Sequence, residues 1–173
     1  DTKQIKNYPD IREKLHVAIG KNTSSMFDEH HRVISGNATD QALMKFLGED
    51  SYLKMKEDPS LEVFASQKFN SSNKFSQAQI GGLTYYKGAP EKLLQKADRY
   101  MGTDGQLHPL DLSCVNQRID TLAKKAMRVI AFGYSEEPLQ ENCISGNLVL
   151  IGLAAIRDDV RPEARIAIHD VQK

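Results

Sequence analysis

The chain has 173 residues, 40% of them hydrophobic, and its 23 basic side chains balance 23 acidic ones. That length suits one ordinary domain with its own core, and a net charge of zero gives no global field to draw nucleic acid or an anionic membrane. No apolar run approaches the ~20 residues of a membrane span and DTKQIKNYPDIREKL has no signal-peptide core; the expectation is a soluble, unexported module without a nucleic-acid partner or direct membrane contact.

Ile11, Leu15 and Ile19 recur at i, i+4 and i+8, which puts them on one face of a first helix. A second helix is predicted to begin near Thr39, to bury Ala42, Leu43, Phe46 and Leu47, and to stop at Gly48. From Leu61 to Lys87 the period changes to two. Val63, Ala65 and Gln67 alternate with Phe64, Ser66 and Lys68, then KFSQAQI and LTYYK flank Gly81-Gly82, a two-residue hairpin signal. These segments read as adjacent antiparallel strands. Pro90 suits a first helical turn, so EKLLQKADRY is predicted as a third helix, followed by the turn cluster MGTDGQ at 101–106. Leu112, Val115, Ile119, Leu122, Ala123 and Ala126 mark another amphipathic helix. RVIAFGY and NLVLIGLAAI read as two more strands, the second apolar enough to be buried on both faces. RDDVRP breaks that strand, and Pro162 opens a last helix carrying Ala164, Ile166, Ala167 and Ile168. The organisation is mixed α and β, without repeats.

Local chemistry is sparse. Cys114 and Cys143 lack zinc or disulfide-framework spacing, and His30 and His31 have no third ligand nearby. Three glycosylation-like triplets, beginning at Asn22, Asn37 and Asn70, are read as chance in a chain without a signal peptide. Gly20-Lys21 has no glycine five positions earlier and no Ser or Thr directly after the lysine, so it is not a P-loop. No GxGxxG, HExxH, GxSxG or DxDxT pattern occurs. What remains is FNSSNKFS, residues 69–76, in which an aromatic, four small polar residues and a lysine interrupt the strand pattern. With the hairpin formed, Phe69, Lys74 and Lys87 would converge at one edge of the sheet, where an aromatic face can stack on a purine and a cation can attract phosphate. Gly88 would let a flat ring approach the backbone. A core phenylalanine with two solvated lysines is the other reading that spacing leaves open.

Five segments in order resemble the nucleotide-binding domain of P-type cation-transporting ATPases: GNATDQAL (36–43), FNSSNKFS, YYKGAPEKLL (85–94), MRVIAFGY (127–134) and GLAAIRDDVRPEARIAI (152–168). The resemblance, to the calcium- or sodium/potassium-pump type, implies an α+β fold, an antiparallel β-sheet flanked by helices. It implies that Phe69 stacks on the adenine of ATP, that Lys74 closes the pocket near the base and α-phosphate, and that Lys87 lines its floor. Gly88 and Ala89 would form the adenine-facing wall, and Arg128 would reach the polyphosphate with its planar fork. Asp40 aligns with a family Glu that accepts from the adenine amino group, and is one methylene shorter. Ser71 stands where some calcium pumps carry Arg.

The same resemblance implies residues 1–156 as the nucleotide-binding domain and 157–173 as the hinge and first helix of the returning phosphorylation domain. DKTGT, TGD, GDGxND and TGES motifs are absent from the chain. It is therefore expected to be a detachable piece that presents Mg-ATP to an Asp of another domain, with the phosphorylation and actuator domains as partners. Its expected place is the cytoplasmic part of an integral membrane cation pump, with calcium as the expected ion. Two other classes remain: a degenerate nucleotide-binding interaction domain, and a haloacid-dehalogenase-type phosphatase fragment suggested by RDDVRPEA.

Overall fold

The computed structural model describes residues 8–157. In chain order these form α1 (Pro9–Gly20), β1 (Met26–Phe27), β2 (Val33–Ile34), α2 (Ala38–Leu47), α3 (Glu49–Glu57), β3 (Val63–Gln67), β4 (Phe75–Ile80) and β5 (Leu83–Gly88). The remainder comprises α4 (Pro90–Leu94), β6 (Ala97–Met101), β7 (Leu107–Pro109), α5 (Leu112–Lys124), β8 (Met127–Ser135) and β9 (Leu148–Arg157). Strands β1 and β2 pair by themselves; the others form one sheet in the order β3-β4-β5-β8-β9-β6-β7. Every neighbouring pair in that sheet is antiparallel except β6 with β9, which is parallel. The fold is α+β, helices flanking a mostly antiparallel sheet.

Strand alternation divides the core in two. Tyr85 of β5, Phe132 and Tyr134 of β8, and Val149 and Ile151 of β9 pack with Leu15 and Ile19 of α1 and Leu43, Met44 and Leu47 of α2. Their strand neighbours Tyr86, Ala131, Leu148 and Leu150 pack on the other face with Leu93 and Leu94 of α4, against which Val115 and Ile119 of α5 lie half-buried. Burying a side chain such as Ile19, Met44 or Phe132, each at most 1% exposed, contributes about 1.5–3 kcal/mol. Among the described residues no helix is long and apolar enough to cross a membrane.

Several expectations need adjustment. The third helix ends at Leu94, and Ala97–Met101 is a strand, because Ala97, Arg99 and Tyr100 pair with Leu148, Val149 and Leu150. Tertiary pairing overrides the helix-compatible composition there. In α2, Phe46 is 40% exposed and Met44 takes its place inside. β9 is buried on both faces only from Leu148 to Ile151; beyond Leu150 it has lost β6 as a neighbour and becomes more exposed. Helix α3 buries only Met55 and so carries little apolar periodicity to find. The expected last helix, with Pro162, lies outside the described residues.

The β4–β5 hairpin closes with Ile80 opposite Leu83, and Gly81 supplies the positive φ of 59° that the two-residue turn needs. At its other end Gly88 sits opposite Phe75. A Cβ on Gly88 would lie 2.5 Å from the Lys74 carbonyl oxygen and 2.6 Å from Phe75 Cα. The missing side chain thus admits the neighbouring backbone. Gly88→Ala is expected to lower the free energy of unfolding by about 2–3 kcal/mol in urea denaturation, whereas Gly82→Ala, whose Cβ would meet open space, should cost much less.

Candidate functional site

The helical register of α2 sets the centre of the site. Its buried residues are Asp40, Leu43, Met44 and Leu47, the i, i+3, i+4, i+7 set that shares one helix face. The carboxylate is thereby carried inward with the apolar side chains. Asn37 caps the helix, its Oδ1 accepting from the Asp40 N–H at 2.8 Å, and Asp40 occupies the first turn, where the helix dipole favours negative charge.

Lys87 on β5 shares the sheet face of Tyr85 and so meets α2. Its Nζ donates to Asp40 Oδ1 at 2.5 Å and also to the backbone carbonyl of Asn22. The two side chains are 6% and 8% exposed. Asp40 Oδ2 accepts from Ser24 N at 3.0 Å and Ser24 Oγ at 2.5 Å, while Asn22 Nδ2 donates to the Tyr85 carbonyl at 3.0 Å. One carboxylate thus joins α2, β5 and the segment after α1. Burial pushes the Asp40 carboxyl up, but the Lys87 charge and the hydrogen bonds from Lys87 and Ser24 outweigh it, so its pKa falls below the ordinary aspartate value. Burial draws Lys87 below the ordinary lysine value, with the Asp40 charge and hydrogen bond opposing.

The small polar run after Phe69 is a closed turn. Lys74 N donates to Asn70 O at 2.8 Å and Asn73 N to Asn70 Oδ1 at 2.7 Å, and Lys74 takes a left-handed φ of 60°. Its carbonyl accepts from Ala89 N at 2.9 Å. An amide cluster supports this turn from the β8–β9 connection: Asn142 Oδ1 accepts from Asn73 Nδ2 at 2.6 Å and from Gln67 Nε2 at 2.5 Å. Phe69 is left 49% exposed, and Lys74 is exposed.

Across the gap, Arg128 of β8 donates Nη1 to Thr39 Oγ1 at 2.6 Å. Between these elements lies a cavity of about 550 Å³ lined by all seven residues that sequence reasoning selected, Asp40, Phe69, Lys74, Lys87, Gly88, Ala89 and Arg128. A neighbouring cavity of about 210 Å³ shares Asn37, Asp40 and Phe69 with it. The seven meet at strand ends, not at the sheet's lateral edge, since Lys87 belongs to the third strand in from β3. Phe69 is not a core side chain, and Lys87 is not solvated. Asn22, Ser24 and Thr39 were not selected as site residues. The segment holding Asn22 and Ser24 offers only a glycosylation-like triplet and a Gly-Lys pair without P-loop spacing, while Thr39 lies within the GNATDQAL motif, near the predicted start of the second helix.

The chain matches the family model described as "P-type ATPase, cytoplasmic domain N" over residues 11–163. It belongs to that family. This N domain is 27% identical over 184 residues to calcium-transporting ATPase 1 of Saccharomyces cerevisiae, covering 96% of the chain and 19% of the relative. It is 29% identical over 157 residues to calcium-transporting ATPase 7, plasma membrane-type, of Oryza sativa subsp. japonica, covering 81% and 15%. It is 37% identical over 87 residues to the probable cation-transporting ATPase F of Mycobacterium tuberculosis, covering 47% and 10%. The N domain spans a fifth or less of the length of these curated relatives.

The Asp40–Lys87 pair makes two expectations. Asp40→Asn should destabilise the N domain by about 3–5 kcal/mol, because it leaves the Lys87 charge buried without its counterion, while the double change Asp40→Leu/Lys87→Met should cost less than either single change. Because the folded-state pKa of Asp40 is depressed, its contribution is complete above the unfolded value of about 3.9 and is lost as pH falls through the folded value. Urea denaturation at pH 7 and pH 3 should therefore show a smaller acid-induced loss in Asp40→Asn than in the wild-type chain.

Proposed function

We propose that this N domain binds ATP by its adenine in the cavity beside Phe69 and presents the γ-phosphate to a phosphorylatable aspartate on a separate domain of the parent pump. The observation that carries this reading is the convergence of an exposed aromatic face, an exposed lysine and an arginine on one cavity of about 550 Å³, built from segments far apart in sequence. Phe69 offers a stacking face, worth about 1–3 kcal/mol per base. Lys74 and Arg128 lie on the larger cavity and not the smaller, so the polyphosphate runs along the larger one, where a guanidinium can hold two oxygens. Gly88 and Ala89 supply backbone wall, and Lys87 the floor through its pairing with Asp40.

The chemistry in this reading is positional. Holding the base orients Mg-ATP, and the phosphoryl transfer takes place on the partner domain, where alignment and charge stabilisation do most of the work. Residues 1–156 would be the nucleotide-binding part and 157–173 the hinge into the phosphorylation domain, with the actuator domain as the further partner. The parent would be an integral membrane pump with this part on the cytoplasmic side. Calcium as the transported ion is supported by the names of the yeast and rice relatives.

With so few gripping groups, the isolated domain should bind ATP with a Kd on the order of 0.1 to several mM, equivalent to about −5.5 to −3.5 kcal/mol. NMR titration of the isotope-labelled chain is expected to give saturable shifts around Phe69, Lys74 and Lys87, similar for AMP and ATP. Phe69→Ala should weaken binding about five- to 150-fold. The absence of shifts at several millimolar nucleotide would instead favour a degenerate interaction domain.

A further inference from the structure

We infer, resting on the nucleotide reading above, that Asn142 in the β8–β9 connection is a positioning residue for nucleotide binding: through Asn73 it clamps the turn that presents Phe69 and Lys74 to the cavity.

The connection is a strap across one face of the sheet. Gln67, Gln77 and Tyr86 stand opposite one another across β3, β4 and β5, whereas Lys87 pairs with Ser76 and points to the other face. Along the strap, the Glu137 carbonyl accepts from Thr84 Oγ1 of β5 at 2.7 Å, and Leu139 N donates to Gln79 Oε1 of β4 at 3.1 Å. The Gln140 carbonyl then accepts from Gln77 Nε2 of β4 at 2.8 Å, and Asn142 N donates to Gln67 Oε1 of β3 at 2.8 Å. Buried Ile144 and a bond from Ser145 N to Tyr86 Oη at 3.2 Å return the chain to the core. A backbone held by side chains of three strands moves with the sheet.

Gln77 shows how firmly the strap is anchored. Its side chain is fully buried, and Nε2 donates both to the Gln140 carbonyl and to Gln67 Oε1 at 2.7 Å, leaving Oε1 without a partner. Turning the amide over would set its oxygen against two acceptors, so its orientation is fixed. A buried unpaired acceptor costs stability, and here it accompanies two bonds that fasten the strap.

Asn142 ends this row. It takes a left-handed φ of 60°, and its Oδ1 accepts from Gln67 Nε2 at 2.5 Å and from Asn73 Nδ2 at 2.6 Å. The turn's internal bonds from Asn73 N and Lys74 N both end on Asn70, so they shape the turn without tying it to the sheet. The Lys74 carbonyl, accepting from Ala89 N, ties one end, and the Asn73–Asn142 bond ties its middle to the strap. Without that bond, conformers that present Phe69 and Lys74 to the cavity form a smaller fraction of the population, and the apparent Kd rises accordingly.

The test is NMR titration with ATP of the 173-residue chain and of Asn142→Gly, Asn142→Asp, Asn73→Ala and the double change Asn73→Ala/Asn142→Gly, each checked for folding by urea denaturation. Gly and Asp both tolerate the left-handed backbone, but only Asp keeps an acceptor oxygen. Asn142→Gly and Asn73→Ala should each raise the ATP Kd about threefold to tenfold. The double variant should stay within about twofold of the weaker single one, since both remove the same bond, and Asn142→Asp within about twofold of the wild-type chain. Losses that add in the double variant, or an Asp variant as weak as the Gly variant, would overturn the clamp, as would wild-type affinity in Asn142→Gly. Should Asn142→Gly not fold, Asn73→Ala decides alone: unchanged affinity overturns the inference. No ATP binding by the wild-type chain at several millimolar would overturn the nucleotide reading and this inference with it.

Discussion

The salt bridge between Lys87 and Asp40 is the contact around which the rest of the site is arranged. Both groups are buried, and the pair is completed by the Asn22 carbonyl and by Ser24. A buried ion pair contributes little net stability against a well-packed apolar alternative, since desolvation offsets much of the attraction. Its consequence lies in geometry. A helix from one part of the chain, a strand from another and the segment following α1 are fixed at a common point, and the walls of both cavities inherit their positions from it.

The turn that carries Phe69 and Lys74 is held from three sides. It is closed internally by Asn70, pinned beneath by the backbone contact of Lys74 with Ala89, and buttressed by Asn142 from the β8–β9 connection. In the proposed reading, an aromatic ring on such a support would have less freedom to lose on stacking against a base, which would favour binding by cutting its entropic cost. Arg128 approaches from the opposite wall and meets Thr39 in the first turn of α2. The site is thus amphipathic in a useful sense: a flat apolar surface at one end, cations at the mouth, and an internally neutralised floor.

That floor changes the meaning of two motif residues. In the resemblance, Lys87 and Asp40 are a pocket lysine and an acceptor for the base. In the structure each is the other's main partner, and the shorter aspartate side chain is drawn into the core by Leu43, Met44 and Leu47 on the same helix face. Gly88 is likewise required by the close passage of Lys74 and Phe75. Motif residues can therefore serve the architecture of a binding site as much as its contact surface.

Periodicity, turn chemistry and motif order in the sequence determined the family, the β4–β5 hairpin, α1, most of α2, α5, and the strands β3, β8 and β9, because each is encoded by residues within a few positions of one another. The same order pointed to seven residues that do line one cavity. Only the tertiary structure decided that Ala97–Met101 is a strand, since its conformation comes from pairing with Leu148–Leu150 and not from its own composition. It likewise decided that Lys87 is neutralised by a residue 47 positions away and that Ser24 completes the shell. Side-chain burial and charge compensation depend on which distant segments pack together, and a linear pattern carries no distance between them.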